Sequence, residues 1–203
     1  VFEKAPLSQV RIYTDGAWMF ENLIQKETNA DLKKQYFEKL MNIYDQRLKN
    51  LEALNSFATP KTTSTKGNII CRKAYDYYYY CPTMDNNTAY KMFKEGIDDM
   101  GPNTEGFVLF GFIECSYNRY LQNKDNIDIR QDFIQDYMNT NEICDRLLDQ
   151  AKEYPSETIP ADPESEDSTK WVEQVVLSPE AQKIVDNYQP VQDKANDLFV
   201  SSG

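Results

Sequence analysis

The sequence predicts an all-α fold of about eight helices, joined as antiparallel hairpins and free of strands. Three observations carry this expectation. Apolar residues recur at helical i, i+3, i+4 spacing along most of the 203-residue chain, while strand-period alternation is nearly absent. Glycine is scarce, at 7 residues. The breaks between periodic segments are short and carry helix punctuation. Such a chain makes a helical bundle or an α-solenoid.

The elements follow in order. Residues 9–25 place Val10, Tyr13, Ala17, Phe20 and Leu23 on one helical face. Residues 29–53 continue with Leu32, Tyr36, Leu40, Met41, Tyr44, Leu48 and Leu51, with Asn29 as N-cap and Asp31 in the first turn, where the helix dipole favours an acid. The stretch 55–68, "NSFATPKTTSTKGN", is a polar loop insertion. Helices are expected at about 68–80, 86–100, 103–122 and 127–152, and Gly101 followed by Pro102 is a stop-and-restart signal. A second insertion, 153–168, holds three prolines and six acids and reads as a solvated loop. After it, "STKWVEQVVL" and "SPEAQKIVDNYQPVQDKANDLFVSSG" each open on a Ser cap and read as helical. Pro179 suits a first turn, and Pro190 is expected to kink or divide the last helix. The leading "VFEKAP" reads as a helix tail and "DLFVSSG" as a helix reaching its cap, so residues 1–203 are expected to form a single helical array cut at both ends, with no signal peptide visible at Val1.

Composition narrows the chemistry. A net charge of −11 disfavours nucleic acid and anionic membrane, which need clustered Lys and Arg. No run of 18 apolar residues exists to span a bilayer. Histidine is absent, which removes Ser-His-Asp and Cys-His catalysis and imidazole metal sites together. Cys71, Cys81, Cys115 and Cys144 form no CxxC pair and read as small buried hydrophobes. The acids of 153–168 lack the Gly-centred spacing of a calcium loop. A non-enzymatic protein without metal or cofactor is expected.

Two stretches fit a repeat of paired helices in which small residues mark close approach. Tyr13-x2-Gly16-Ala17-x2-Phe20 matches the first helix of a tetratricopeptide unit, with Gly in the Leu position. Ala89-x3-Phe93-x2-Gly96, followed by Pro102, matches a second helix, and Phe2-x2-Ala5 the tail of a preceding one. Helix pairs recur here every 40 to 60 residues rather than at 34. On these motifs, "APLSQVRIYTDGAWMFENLIQKETNADLKKQYFEKLMNIYDQRL" and "CRKAYDYYYYCPTMDNNTAYKMFKEGID" resemble a tetratricopeptide-like group common in Bacteroidetes. The resemblance covers most of residues 1–152 and the C-terminal helix. It implies a right-handed α-α superhelix of hairpins, exported to the periplasm or cell envelope, with no catalytic residues to transfer.

The tyrosine-rich "YDYYYYCP" (75–82) then reads as a helix wedged between neighbours. Its register puts Cys71, Ala74, Tyr75 and Tyr78 at packing positions and Arg72, Asp76 and Tyr79 towards the groove. The same offsets in the first helix give Arg11, Thr14, Trp18 and Glu21. This polar and aromatic stripe is the candidate site for a protein or peptide partner, since Arg and aromatic side chains anchor interfaces. The bland alternatives are a surface Arg72–Asp76 pair at i, i+4 and a core Trp18. Two other functions compete with a protein-binding scaffold: a SusD-like glycan-binding surface lipoprotein, and a glycosidase built on paired carboxylates, which an acid of raised pKa in an aromatic cleft would favour.

Overall fold

A computed structural model describes residues 5–59, 63–160 and 173–202. The expected helix tail and Phe2 of the first four residues, and the acidic run from 161 to 168, lie outside the described residues. The described residues are all-α apart from one small ribbon. Among the described residues, eight α-helices pack in neighbouring pairs, as in an α-solenoid: α1 (Arg11–Lys26), α2 (Ala30–Lys49), α3 (Leu51–Ser56), α4 (Lys66–Tyr80), α5 (Asn86–Met100), α6 (Gly106–Gln122), α7 (Ile127–Lys152) and α8 (Pro179–Ser201). The chain divides into two compact units at Phe133/Ile134, inside α7.

In the first unit, α1 and α2 form an antiparallel hairpin. Asn50, which closes α2, brings its amide 3.4 Å from Tyr13 Oη near the start of α1. Asn29 caps α2 as expected, its Oδ1 accepting from the backbone of Asp31 (3.0 Å) and Leu32 (3.1 Å). Tyr13, Phe20, Ile24, Leu40 and Ile43 are buried between the two helices. The expected helix of 29–53 instead breaks at Asn50, and α3 begins beyond it. The Asn50 side chain turns back on Gln46 O (2.7 Å), a local bond that competes with helix continuation.

The second hairpin, α4 and α5, approaches more closely. Thr65 and Asp85 cap its helices through Asn68 N (3.0 Å) and Thr88 N (2.8 Å). A Cβ on Gly96 would sit 2.6 Å from Cys71 Sγ and 2.9 Å from the Cys71 backbone nitrogen, so only glycine allows this contact. α5 ends at Gly101, whose φ of 52° is the left-handed cap, and a 3-10 turn through Pro102 leads to α6. Each incoming helix docks on both helices of the pair before it: α4 on α1 and α2, α6 on α4 and α5. Cys71, Cys115 and Cys144 are buried thiols, Cys81 is half-buried, and none is in a disulfide.

In the second unit, Ser178 caps α8 through Ala181 N (3.2 Å), and Tyr137 of α7 stacks on Phe199 at 4.1 Å between ring centres. Of the helix expected across 168–177, residues 168–172 lie outside the described residues, and over 173–177 the expectation is overturned. Glu173–Leu177 is a strand, β2, pairing antiparallel with Ser156–Pro160, β1, from the segment read as a loop. The two-residue Val run of "EQVVL" suits a strand as well as a helix, and its partner lies outside any local window. Pro190 does not divide α8. A proline removes one backbone bond, and burial of Ala181, Val191 and Ala195 along the helix offsets it. No described helix is long and apolar enough to cross a membrane.

Candidate functional site

Two parallel helices build the site. α1 and α4 lie side by side, joined near their C-terminal ends by Gln25 Nε2 donating to Tyr80 Oη (2.7 Å). Towards their N-terminal ends they part over α2, leaving a cleft of about 540 Å³. The cleft brings together five of the seven residues of the expected stripe: Arg11, Thr14, Trp18, Glu21 and Arg72. Trp18 is 66% exposed, so it is no core residue. Arg11 reaches Asp15 at 3.5 Å in a solvent-exposed pair.

Arg72 does not form the i, i+4 pair with Asp76. Its guanidinium stands 2.8 Å from Glu105 Oε1, just before α6, and lies over the Phe107 ring at 5.1 Å. Asn68 Nδ2 donates to the other Glu105 oxygen at 2.9 Å. Glu105 therefore fixes two polar side chains of α4 along one edge of the cleft.

Asp76 was expected to face the groove, and this is corrected: it is only 5% exposed. It is wedged beneath the cleft, where Tyr44 of α2 donates to its Oδ2 at 2.6 Å. Glu21 sits beside it. Burial foremost, and then the Glu21 charge, push the Asp76 carboxyl up to about 8 from an ordinary 3.8. Burial raises Glu21 as well, against the pull of its bond with Asp76 and the charge of Arg72. Burial therefore favours a protonated carboxyl at Asp76 at neutral pH. Burial followed by the Asp76 charge keeps the Tyr44 phenol protonated far above its usual range. A carboxyl with a close neighbouring charge satisfies its burial by keeping a proton, which is why α1, α2 and α4 can meet around it.

Tyr79 lies apart from the cleft. Its hydroxyl donates to Glu114 of α6 at 2.9 Å, and its ring packs on Tyr75 (4.5 Å) and Tyr78 (4.9 Å). Burial and the Glu114 bond raise its pKa beyond the normal phenol range. It is exposed at one edge and architectural at the other.

Sequence reasoning missed Arg47 and Ser64. Arg47 of α2 is only 6% exposed, yet it lines the cleft and donates through Nη2 to Ser64 Oγ at 2.8 Å. Asn55 holds Ser64 from both sides, accepting from its backbone nitrogen (3.2 Å) and donating to its carbonyl (2.8 Å). Burial, with a smaller contribution from Arg72, pulls the Arg47 pKa below its ordinary value. The only sequence signal was position: Arg47 follows Tyr44 by three, on the same face of α2. No family model, curated protein or solved structure matches the chain.

Proposed function

We propose that this chain is a non-enzymatic helical scaffold of tetratricopeptide-like type that binds a protein or peptide partner along the α1–α4 face. The observation that carries the reading is Trp18, a large aromatic ring exposed at the rim of a polar cleft where Arg11, Thr14, Glu21 and Arg72 converge. A rigid ring beside hydrogen-bonding side chains is the make-up of an interface anchor. By the resemblance of its first two hairpins, the protein works after export, in the periplasm or cell envelope of a Bacteroidetes bacterium.

The acid pair does not argue for a glycosidase. Asp76 is buried and committed to Tyr44 at 2.6 Å, whereas hydrolysis of a glycosidic bond needs two carboxyls facing each other across the scissile bond. A glycan-binding surface of the SusD-like kind would also use an exposed ring next to polar groups, and the same Trp18 favours it as the second reading. Affinity capture from envelope extracts and a glycan array, each with the intact chain and with Trp18→Ala, separate the two. A protein partner lost on Trp18→Ala supports the scaffold. Glycan binding lost on the same change overturns it in favour of the second reading, and capture unaffected by Trp18→Ala overturns both.

A further inference from the structure

Three cations border the cleft, and they are not alike. Arg11 has Asp15 at 3.5 Å and Arg72 has Glu105 at 2.8 Å, so each carries its counter-charge with it. Arg47 has none. Among the described residues its one hydrogen bond goes to the neutral hydroxyl of Ser64, and no carboxylate stands within ion-pair distance. The nearby Tyr44 phenol is neutral, and the charge that Arg47 feels from Arg72 is repulsive.

A guanidinium held mostly out of water without a counter-charge costs a fold stability. Arg47 is also kept in place with some care, since Ser64 is fastened by Asn55 on both backbone groups. Its remaining N–H donors are uncommitted and border open volume. A buried cation of this kind is balanced when a ligand brings the missing charge.

We infer that the cleft receives one carboxylate of a bound peptide, with Arg47 as the counter-charge at its floor. The inference rests on the protein-binding reading and names the chemistry that reading lacks. Charge arithmetic favours a carboxylate over a phosphate. Among the described residues one cation of the cleft, Arg47, is without a carboxylate partner, which matches one negative charge rather than two, and the chain as a whole carries −11. The planar fork of arginine also matches a carboxylate two bonds at a time. The exposed Trp18 ring and Thr14 flank the opening, where the rest of an extended peptide would lie. The carboxylate could be a chain terminus or an acidic side chain, and the test distinguishes them.

The full chain is titrated by two-dimensional NMR, following the Arg47 Nε–H and Trp18 indole N–H signals. The probes are N-acetyl-triglycine, its C-terminal amide, N-acetyl-aspartic acid N-methylamide and inorganic phosphate. The expected result is a saturable shift of both signals with one or both carboxylate probes and none with the amide, phosphate binding more weakly. Which of the two carboxylates binds tighter assigns a terminal or a side-chain source. Arg47→Lys, which keeps the charge but loses the fork, is expected to weaken binding about tenfold. Equal response to the amide, tighter binding of phosphate, no saturable response, or an unchanged affinity in folded Arg47→Lys overturns the inference. The contrast between free acid and amide needs no variant, so it holds even where Arg47→Lys fails to fold. Partner capture that depends on Trp18 alongside a negative titration sinks the carboxylate and leaves the scaffold reading intact. A positive titration alongside capture indifferent to Trp18 does the reverse.

Discussion

The first unit repeats one packing operation twice, and the two results differ. At the α1/α2/α4 junction the incoming helix brings a carboxyl, and the space holds Tyr44, Asp76, Glu21 and a lone buried arginine beside an open cleft. At the α4/α5/α6 junction the incoming helix brings aromatics. Phe93, Phe112, Tyr78 and Tyr90 fill the space ring against ring, and Gly96 lets the Cys71 backbone come into contact. A helical array needs each junction to exclude water, but it can do so with apolar area or with a closed polar network. The second junction spends its volume on stability. The first gives some of it up, and that is where a ligand has room.

The largest effect expected from breaking this contrast is at the sealed junction. Phe93→Ala, at a fully buried ring contacting Tyr78 and Phe112, should lower the free energy of unfolding by about 3–5 kcal/mol, read by urea denaturation. An unchanged midpoint would mean that the aromatic cluster is not what closes that junction.

At the polar junction the expected effect depends on pH. Asp76 is raised from 3.8 to about 8 in the fold, so between those values the native state holds a proton that the unfolded chain has released. Its contribution is complete below pH 4 and is lost as pH rises through about 8. Melting temperature should therefore fall across that window relative to Asp76→Asn, which keeps an acceptor for Tyr44 without a charge to lose. A parallel pair of curves would remove the buried proton of Asp76 from the account.

Gly96→Ala sharpens the comparison next. The added methyl meets the Cys71 backbone as well as its Sγ, and the backbone cannot swing aside, so a loss of about 1–3 kcal/mol is expected despite the better helix propensity of alanine. Gly111→Ala, whose Cβ would meet ring edges at 3.2 Å, should cost less, because rings of Phe93 and Tyr75 can give way. The smallest effect belongs to the cleft rim. Trp18→Ala should change stability by less than about 0.5 kcal/mol, as surface substitutions do, while reducing partner capture. A large loss of stability would make Trp18 architecture and withdraw it from the site.

Most of the helices were legible because each announces itself locally. Asn29 and Ser178 cap the helices they precede, and Gly101 ends α5 in the only positive φ among the described residues. What escaped depends on partners far along the chain. Asp76 looks like a surface acid until Tyr44, 32 residues earlier, is placed against it. Arg47 looks like one more charge in "YDQRLK", and nothing nearby says that it is buried or that no acid meets it. The pairing of β1 with β2 spans the second insertion, so neither strand carries its own signal. Local chemistry predicts how a helix begins and ends; which polar group is forced inside is decided by the neighbour that arrives later.

The four thiols have a practical consequence. Cys71, Cys115 and Cys144 are sealed in helix contacts, and burial pushes the Cys71 and Cys144 thiols up to about 12. Cys81, at the C-terminal cap of α4, is the half-buried exception. Maleimide chemistry at mild pH should therefore label the unaltered protein at one position. The dye would sit at the far end of the helix that carries Arg72, a built-in reporter for any tilt of α4 when the cleft is filled.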